Sequence, residues 1–86
     1  MNPKVKSDIS WQRIGTEVLI MDTTYLKQAH SLNSTAAVVW QHLNGTNSPK
    51  QLAAILSEEF EIDANSALND VEALLERFRK LQLIEG

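Results

Sequence analysis

The chain contains no cysteine and only three glycines among its 86 residues. Without cysteine it can form neither disulfides nor thiolate metal sites, and it has no thiolate nucleophile. The glycines lie in predicted turns or at the C-terminus, so they cannot build a dinucleotide-binding loop. No apolar run reaches membrane-spanning length, and no signal-peptide core follows the N-terminus. We therefore expect a cytoplasmic protein that contacts no membrane.

Positive charge is also scarce, because eight lysines and arginines stand against eleven aspartates and glutamates, for a formal net charge of −3. Nucleic-acid binding depends on concentrated positive charge, so we expect no nucleic-acid partner. A length of 86 residues is that of one domain. We expect residues 1–86 to form a single domain whose polar, proline-containing first segment, residues 1–7, is disordered.

A continuous apolar stretch in the middle of the chain predicts the helix around which this domain is built. Asn33 or Ser34 can cap its start by accepting a backbone hydrogen bond, and Gly45 can close it in the left-handed conformation. Residues 36–40 are all apolar, which is typical of a helix that is covered on more than one side. Trp40 is the largest of them and is predicted to anchor the core.

Three short strands are predicted before this helix. Residues 9–14 are rich in strand formers, and residues 17–21 are apolar after the first, as in a covered central strand. Between them, Gly15 and Thr16 suit the two-residue loop of a type II′ hairpin. Residues 25–32 alternate loosely and indicate a third strand at an edge, although the same residues would tolerate a helix.

Two further helices are predicted after the central one. Ser48 can cap the second helix, with proline following it and Gln51 placed for a capping box. The third helix covers about residues 66–81 and is capped by Asp63 or Asn65. Its apolar residues recur at helical spacing: Ala67, Leu68, Val71, Leu74, Leu75, Phe78 and Leu81. Three strands followed by three helices indicate an α+β domain of winged helix-turn-helix type.

No constellation of residues points to catalysis. The two histidines, His30 and His42, lie on different predicted elements, and no spaced ligand motif links them. The chain also has no nucleophile elbow and no phosphate-cradling glycine loop. We expect no metal, no cofactor and no enzymatic activity.

A winged-helix DNA-binding regulator is the alternative function. Its basic feature would be Arg77, Arg79 and Lys80, which lie at the C-terminal end of the third helix. Recognition helices usually read bases with their N-terminal residues, and that end carries acidic side chains here. The helix dipole is a sufficient explanation for this distribution of charge.

The predicted third strand offers a different kind of site. An edge strand exposes unpaired backbone groups, on which an extended peptide can add as a further strand. Lys27 is also the type of residue that protects an edge from such pairing. The pattern alone does not choose between a protected edge and a peptide-binding edge.

The centre of the chain carries a composite pattern that extends to its end. Leu32 and Asn33 precede small residues and alanines, then an aliphatic residue and Trp40, and finally Gly45. The pattern continues with Ser48-Pro49, Leu52-Ala53, Phe60, Asp70-Val71 and Leu81-Gln82-Leu83-Ile84. Taken together, it resembles the PqqD-like family, whose members are known as RiPP recognition elements.

The resemblance implies a winged-helix-type domain that binds the leader of a ribosomally synthesised precursor peptide. The domain would present this leader peptide to a peptide-modifying enzyme or a leader peptidase. In such domains the leader adds beside the third strand, in the groove against the third helix. Carried over to this chain, the resemblance implies peptide-binding roles for Tyr25, Leu26, Lys27, Gln28, Ala29, His30, Ser31, Val71, Leu75, Phe78 and Arg79.

The chain departs from the family pattern at two places. The Pro-Glu-Gly turn of cofactor-pathway members is absent, because Asp22-Thr23-Thr24 occupies its place. This departure favours a lasso-peptide or other peptide pathway over pyrroloquinoline quinone biosynthesis. Gln82 stands where many members have glycine. We expect a free-standing adaptor that is a monomer or a strand-swapped dimer.

Overall fold

The structure is a computed structural model that describes residues 2–22 and 28–86. Three antiparallel strands precede three helices, so the predicted α+β, winged-helix-like order is confirmed. A separate two-stranded sheet joins the two ends of the chain. In chain order the elements are β1 (Lys4–Val5), β2 (Ser10–Ile14), β3 (Glu17–Asp22), β4 (Gln28–Leu32), α1 (Ser34–Gln41), α2 (Pro49–Phe60), α3 (Ala64–Lys80) and β5 (Ile84–Glu85).

The larger sheet has the strand order β2-β3-β4, and both of its strand pairs are antiparallel. At the turn between β2 and β3, Gly15 has a φ of 65°, which a type II′ turn requires at its first central position. β4 begins at Gln28, so the strand predicted over residues 25–32 is confirmed in its second part. The three site residues predicted before it, Tyr25, Leu26 and Lys27, lie outside the described residues.

α1 begins at one of its two predicted caps, because the side chain of Asn33 accepts a hydrogen bond from the Ala36 backbone N–H at 3.0 Å. It ends at Gln41, well before the predicted Gly45. Gly45 does have a left-handed φ of 86°. Its N–H, however, donates to the carbonyl of Pro3 at 3.0 Å. Gly45 therefore holds the N-terminal segment in place and does not close the helix.

The core lies between the larger sheet and the three helices. Trp40 is only 1% exposed, so its predicted position in the core is confirmed. The sheet contributes Val18 and Ile20 from its central strand, both fully buried. Among the described residues, the buried members of the hydrophobic core are Ile9, Val18, Ile20, Leu32, Ala36, Ala37, Val39, Trp40, Leu43, Leu52, Ala53, Leu56, Ala67, Val71, Leu75, Phe78, Leu83 and Ile84.

Local hydrogen bonds set the starts of α2 and α3. The Ser48 hydroxyl accepts from the Gln51 N–H at 3.2 Å, and the Gln51 side chain accepts from the Ser48 N–H at 2.7 Å, which confirms the capping box. At the start of α3, the Asp63 carboxylate accepts from the Asn65 N–H at 2.9 Å. Asp63 is therefore the cap, and Asn65 lies inside the helix.

Residues 3–6 of the N-terminal segment make defined backbone contacts, whereas the sequence predicts disorder for residues 1–7. Pro3 is buried, and β1 pairs with β5 so that Val5 lies opposite Ile84. The Val5 N–H also donates to the carbonyl of Leu43 at 3.0 Å. The sequence of residues 1–7 does not reveal this pairing by itself, because the partner strand comes from the far end of the chain.

Candidate functional site

β4 forms one edge of the larger sheet, and none of the described residues pairs with its outer side. The hairpin between β2 and β3 determines which backbone groups point to that side. Ile14 and Glu17 flank the two-residue turn, so they form a hydrogen-bonded pair. Such pairs alternate along antiparallel strands, so the backbone N–H and C=O groups of Val18 and Ile20 point the other way, towards β4.

The partners of those two residues across the ladder are Leu32 and His30. The backbone groups of Leu32 and His30 are therefore engaged with β3. Ala29 and Ser31 alternate with them, so their N–H and C=O groups point outward from the sheet. These outward groups are a template on which an extended chain can form a fourth strand.

Two depressions lie between α3 and the segment formed by β4 and the start of α1. One has a volume of about 450 Å³ and is lined by Asn33, Thr35, Ala36, Asp70, Ala73, Leu74 and Arg77. The other has a volume of about 460 Å³ and is lined by His30, Ala73, Glu76, Arg77, Lys80 and Leu81. Both include Ala73 and Arg77, so they lie next to each other along α3, and we call them together the β4–α3 groove.

One face of α3 supplies the helical wall of this groove. Asp70, Ala73, Arg77 and Lys80 follow one another at intervals of three or four residues, which places them in line along the helix. Ala73 in the middle has the smallest side chain of the four. A small residue at this point leaves room for an occupant between the helix and the sheet.

Most of the α3 residues predicted for the site lie on a different face of the helix from the one that lines the groove. Val71 and Phe78 are 0% exposed and Leu75 is 1% exposed, so all three belong to the core. Their side chains therefore expose almost no surface. The most apolar stripe of the helix packs against the rest of the domain, and the neighbouring stripe faces the groove.

Arg79 also points away from the groove. Its Nε donates to the carbonyl of Gly86 at 3.2 Å, at the end of the chain. Arg77, two residues earlier, lines both halves of the groove instead. The sequence could have indicated Arg77 as a groove residue, because Arg77, Ala73 and Asp70 recur at helical spacing next to the apolar stripe of α3.

The predicted strand residues divide between the two faces of β4. His30 lies opposite the buried Ile20, and its ring lines the groove. Its Nε2 has no accessible surface and no hydrogen-bond partner among the described residues. Ala29 and Ser31 are exposed, and Gln28 contributes the first backbone unit of β4.

Residues 2–22 and 28–86 contain no group of three or more histidine, cysteine, aspartate or glutamate side chains that could hold a metal ion. Within the same ranges, every helix is too short or too polar to cross a lipid bilayer.

The fold is similar to that of three solved structures. "TbiB1 in Complex with the TbiA(beta) Leader Peptide" has a TM-score of 0.86 at 18% sequence identity, over 96% of this chain and 95% of that chain. "Lasso peptide synthetase B1 complexed with the leader peptide" has a TM-score of 0.85 at 23% identity, over 100% of both chains. At such identities the similarity establishes a shared fold.

The third structure is a solution NMR structure of the PqqD truncation of Methylobacterium extorquens PqqCD, described as a functional and stand-alone RiPP recognition element. Its TM-score is 0.77 at 16% identity, over 98% of this chain and 88% of that chain. Among curated proteins, none matches the sequence significantly. The family model of coenzyme PQQ synthesis protein D (PqqD) matches residues 16–84, from the first hairpin turn to the last strand. The chain therefore belongs to the PqqD family.

Proposed function

We propose that this protein is a RiPP recognition element, a non-catalytic domain that binds the leader segment of a ribosomally synthesised precursor peptide. It would present that leader to a peptide-modifying enzyme or a leader peptidase. The observation that carries the proposal is the unpaired edge of β4 beside the β4–α3 groove. An edge and a groove side by side can hold both the backbone and the side chains of an extended peptide.

The leader would add to the sheet as a fourth strand. The outward N–H and C=O groups of Ala29 and Ser31 would form its main-chain hydrogen bonds. Successive side chains of a strand point to opposite faces, so every second leader side chain would enter the groove. Main-chain bonds then supply affinity for any extended peptide, and the groove supplies selectivity among sequences.

The comparisons support this proposal in two ways. The chain belongs to the PqqD family, and the similar PqqD truncation is described as a RiPP recognition element. Two of the similar solved structures are described as complexes with a leader peptide, and one of these is a lasso peptide synthetase B1. Together with the absence of the Pro-Glu-Gly turn, this favours a lasso-peptide or other peptide pathway. The cytoplasm is the proposed location, because ribosomally made precursors arise there.

The charge distribution favours a peptide over DNA as the partner. At the N-terminal end of α3, which would read bases in a helix-turn-helix, Asp63, Asp70 and Glu72 are exposed. Phosphate groups would be repelled by these carboxylates. The basic residues lie in the last turn of the helix.

The proposal is tested with a display library that tiles the short open reading frames of the source genome. We expect the protein to enrich overlapping peptides from one precursor. Titration of the enriched peptide into ¹⁵N-labelled protein should shift the amide signals of residues 28–32 and of the groove face of α3. Enrichment of no peptide, shifts confined to α2, or salt-sensitive binding of duplex DNA alone would each reject the proposal.

A further inference from the structure

We infer that the β4–α3 groove selects a leader peptide that places an aspartate or glutamate side chain against Arg77. This inference rests on the proposed function and deepens it, because it names the chemistry that the groove recognises. The main-chain groups of β4 accept any extended peptide, so the choice among peptides depends on groove side chains. Arg77 is the charged side chain best placed to make that choice.

Arg77 is central in the groove. It lines the half that extends to the start of α1 and also the half that contains His30. Its guanidinium has no hydrogen bond or ion pair with any of the residues that the structure describes. An arginine without a partner keeps all of its N–H donors for an incoming group, and its planar fork matches a carboxylate in a two-bond arrangement.

The other charged residues that the structure describes in the groove do not form an ion pair with Arg77. Glu76 lies 3.9 Å from Lys80, so these two opposite charges largely offset each other. Asp70 is two helical turns from Arg77, which corresponds to about 10 Å along the axis. In the described part of the chain no ion pair joins Asp70 to Arg77, although both side chains line the same half of the groove.

The residues around Arg77 favour a direct hydrogen-bonded contact between its guanidinium and a side chain of the bound peptide. Ala73 is small enough to let a peptide side chain approach the helix. Leu81 and the ring of His30 line this half of the groove together with the paired side chains of Glu76 and Lys80. Partial exclusion of water by these side chains strengthens a charge-assisted hydrogen bond. A carboxylate is the common peptide group that can accept two of the guanidinium N–H bonds at once.

Arg79 provides a matched control. It has the same side chain on the same helix, yet its Nε donates to the carbonyl of Gly86 outside the groove. A change at Arg79 therefore alters the net charge of the protein by the same amount without altering the groove. Both arginines are exposed, so neither substitution removes a core contact.

The experiment selects a random peptide display library in parallel on the wild-type protein, Arg77→Glu and Arg79→Glu. Circular dichroism first verifies that both variants retain the wild-type fold. We expect wild type and Arg79→Glu to enrich peptides with an acidic residue at one aligned position. Arg77→Glu should instead enrich lysine or arginine at that position. Replacing the acidic residue with its amide should weaken binding to wild type by at least about tenfold and leave binding to Arg77→Glu little changed.

Three outcomes would overturn the inference. Enriched peptides without an acidic preference would show that the groove selects on other grounds and would leave leader binding itself intact. An equal effect of Arg79→Glu would show that only net charge matters. Failure of wild type to enrich any peptide would reject the proposed function and this inference together.

Discussion

The indole ring of Trp40 meets the phenyl ring of Phe78 edge-on, with ring centroids 5.2 Å apart and planes at 79°. Trp40 also meets Trp11 edge-on, with ring centroids 6.3 Å apart and planes at 87°. Trp40 therefore connects α1 with α3 and with the outer strand β2. Aromatic pairs in this arrangement stabilise a fold beyond the area that they bury. Phe78 belongs to α3, so this cluster helps to fix the position of the helix that lines the β4–α3 groove.

Replacing the central indole should affect the stability of the whole domain. We expect Trp40→Ala to lower the free energy of unfolding by roughly 3–5 kcal/mol, because it removes a buried aromatic side chain and leaves a cavity. Urea unfolding followed by circular dichroism measures the change. Trp11→Ala is the comparison, and its effect should be smaller because Trp11 is 41% exposed. A midpoint for Trp40→Ala close to that of wild type would contradict the assignment of this residue to the core.

A proline at the outer edge of β4 should weaken peptide binding. Ala29→Pro removes a backbone N–H that points outward and fixes φ, so the protein loses one hydrogen bond to an added strand. We expect the dissociation constant of an enriched peptide to rise about tenfold or more, as measured by isothermal titration calorimetry.

Two control variants test whether weaker binding results from the loss of the outward N–H of residue 29. Ala29→Val changes the exposed side chain and keeps the N–H, so binding should remain close to wild type. Arg13→Pro places proline on the opposite edge of the sheet, where β2 also lacks a described outer partner. If Arg13→Pro weakened binding as much as Ala29→Pro, then strand addition at β4 would be the wrong model.

The sequence predicts well those features whose signals are local. The capping box of Ser48 and Gln51, the turn at Gly15 and the cap at Asn33 each depend on residues within a few positions of one another. The position of Trp40 in the core also follows from its apolar neighbours. These features account for the order of the elements and for much of the core.

Features that depend on distant residues could not be predicted in this way. The pairing of Val5 with Ile84 joins opposite ends of the chain, and no local pattern announces it. On α3, the stripes that contain Val71 and Arg77 both have helical spacing. Only the positions of α1, α2 and β4 determine that the first stripe is buried and the second faces the groove.

The turn after α3 contains a residue in an unfavourable conformation. Gln82 has a φ of 59°, in the left-handed region where residues other than glycine are strained. This finding gives a physical reason for the glycine that many PqqD-like proteins have at this position. We expect Gln82→Gly to raise the free energy of unfolding by up to about 1 kcal/mol, because relief of strain exceeds the added entropy of the unfolded chain. Thermal unfolding measures the change, and the β-branched variant Gln82→Val should shift stability in the opposite direction. A lower melting temperature for Gln82→Gly would contradict the inference that Gln82 is strained.

The cap of α3 should make stability depend on pH in the acid range. The Ser66 hydroxyl donates to the Asp63 carboxylate at 2.6 Å, and the backbone N–H of Asn65 donates at 2.9 Å. The first of these bonds, assisted by the second, lowers the pKa of Asp63 below its ordinary value of 3.8. A carboxyl whose pKa is lower in the folded state stabilises the fold above the unfolded pKa, and this contribution disappears as pH falls through the folded pKa.

We therefore expect the melting temperature of wild type to fall relative to that of Asp63→Asn as pH decreases below about 4. Asparagine keeps an oxygen that can cap the helix and cannot titrate, so the comparison isolates the charge of Asp63. Ser66→Ala removes the hydroxyl that contributes most to the shift, and it should return the pKa of Asp63 towards 3.8. Carboxyl ¹³C chemical shifts followed through an acid titration measure that pKa directly. A wild-type pKa at or above 3.8, or a constant difference in melting temperature between wild type and Asp63→Asn at every acidic pH, would show that the carboxylate does not stabilise the start of α3.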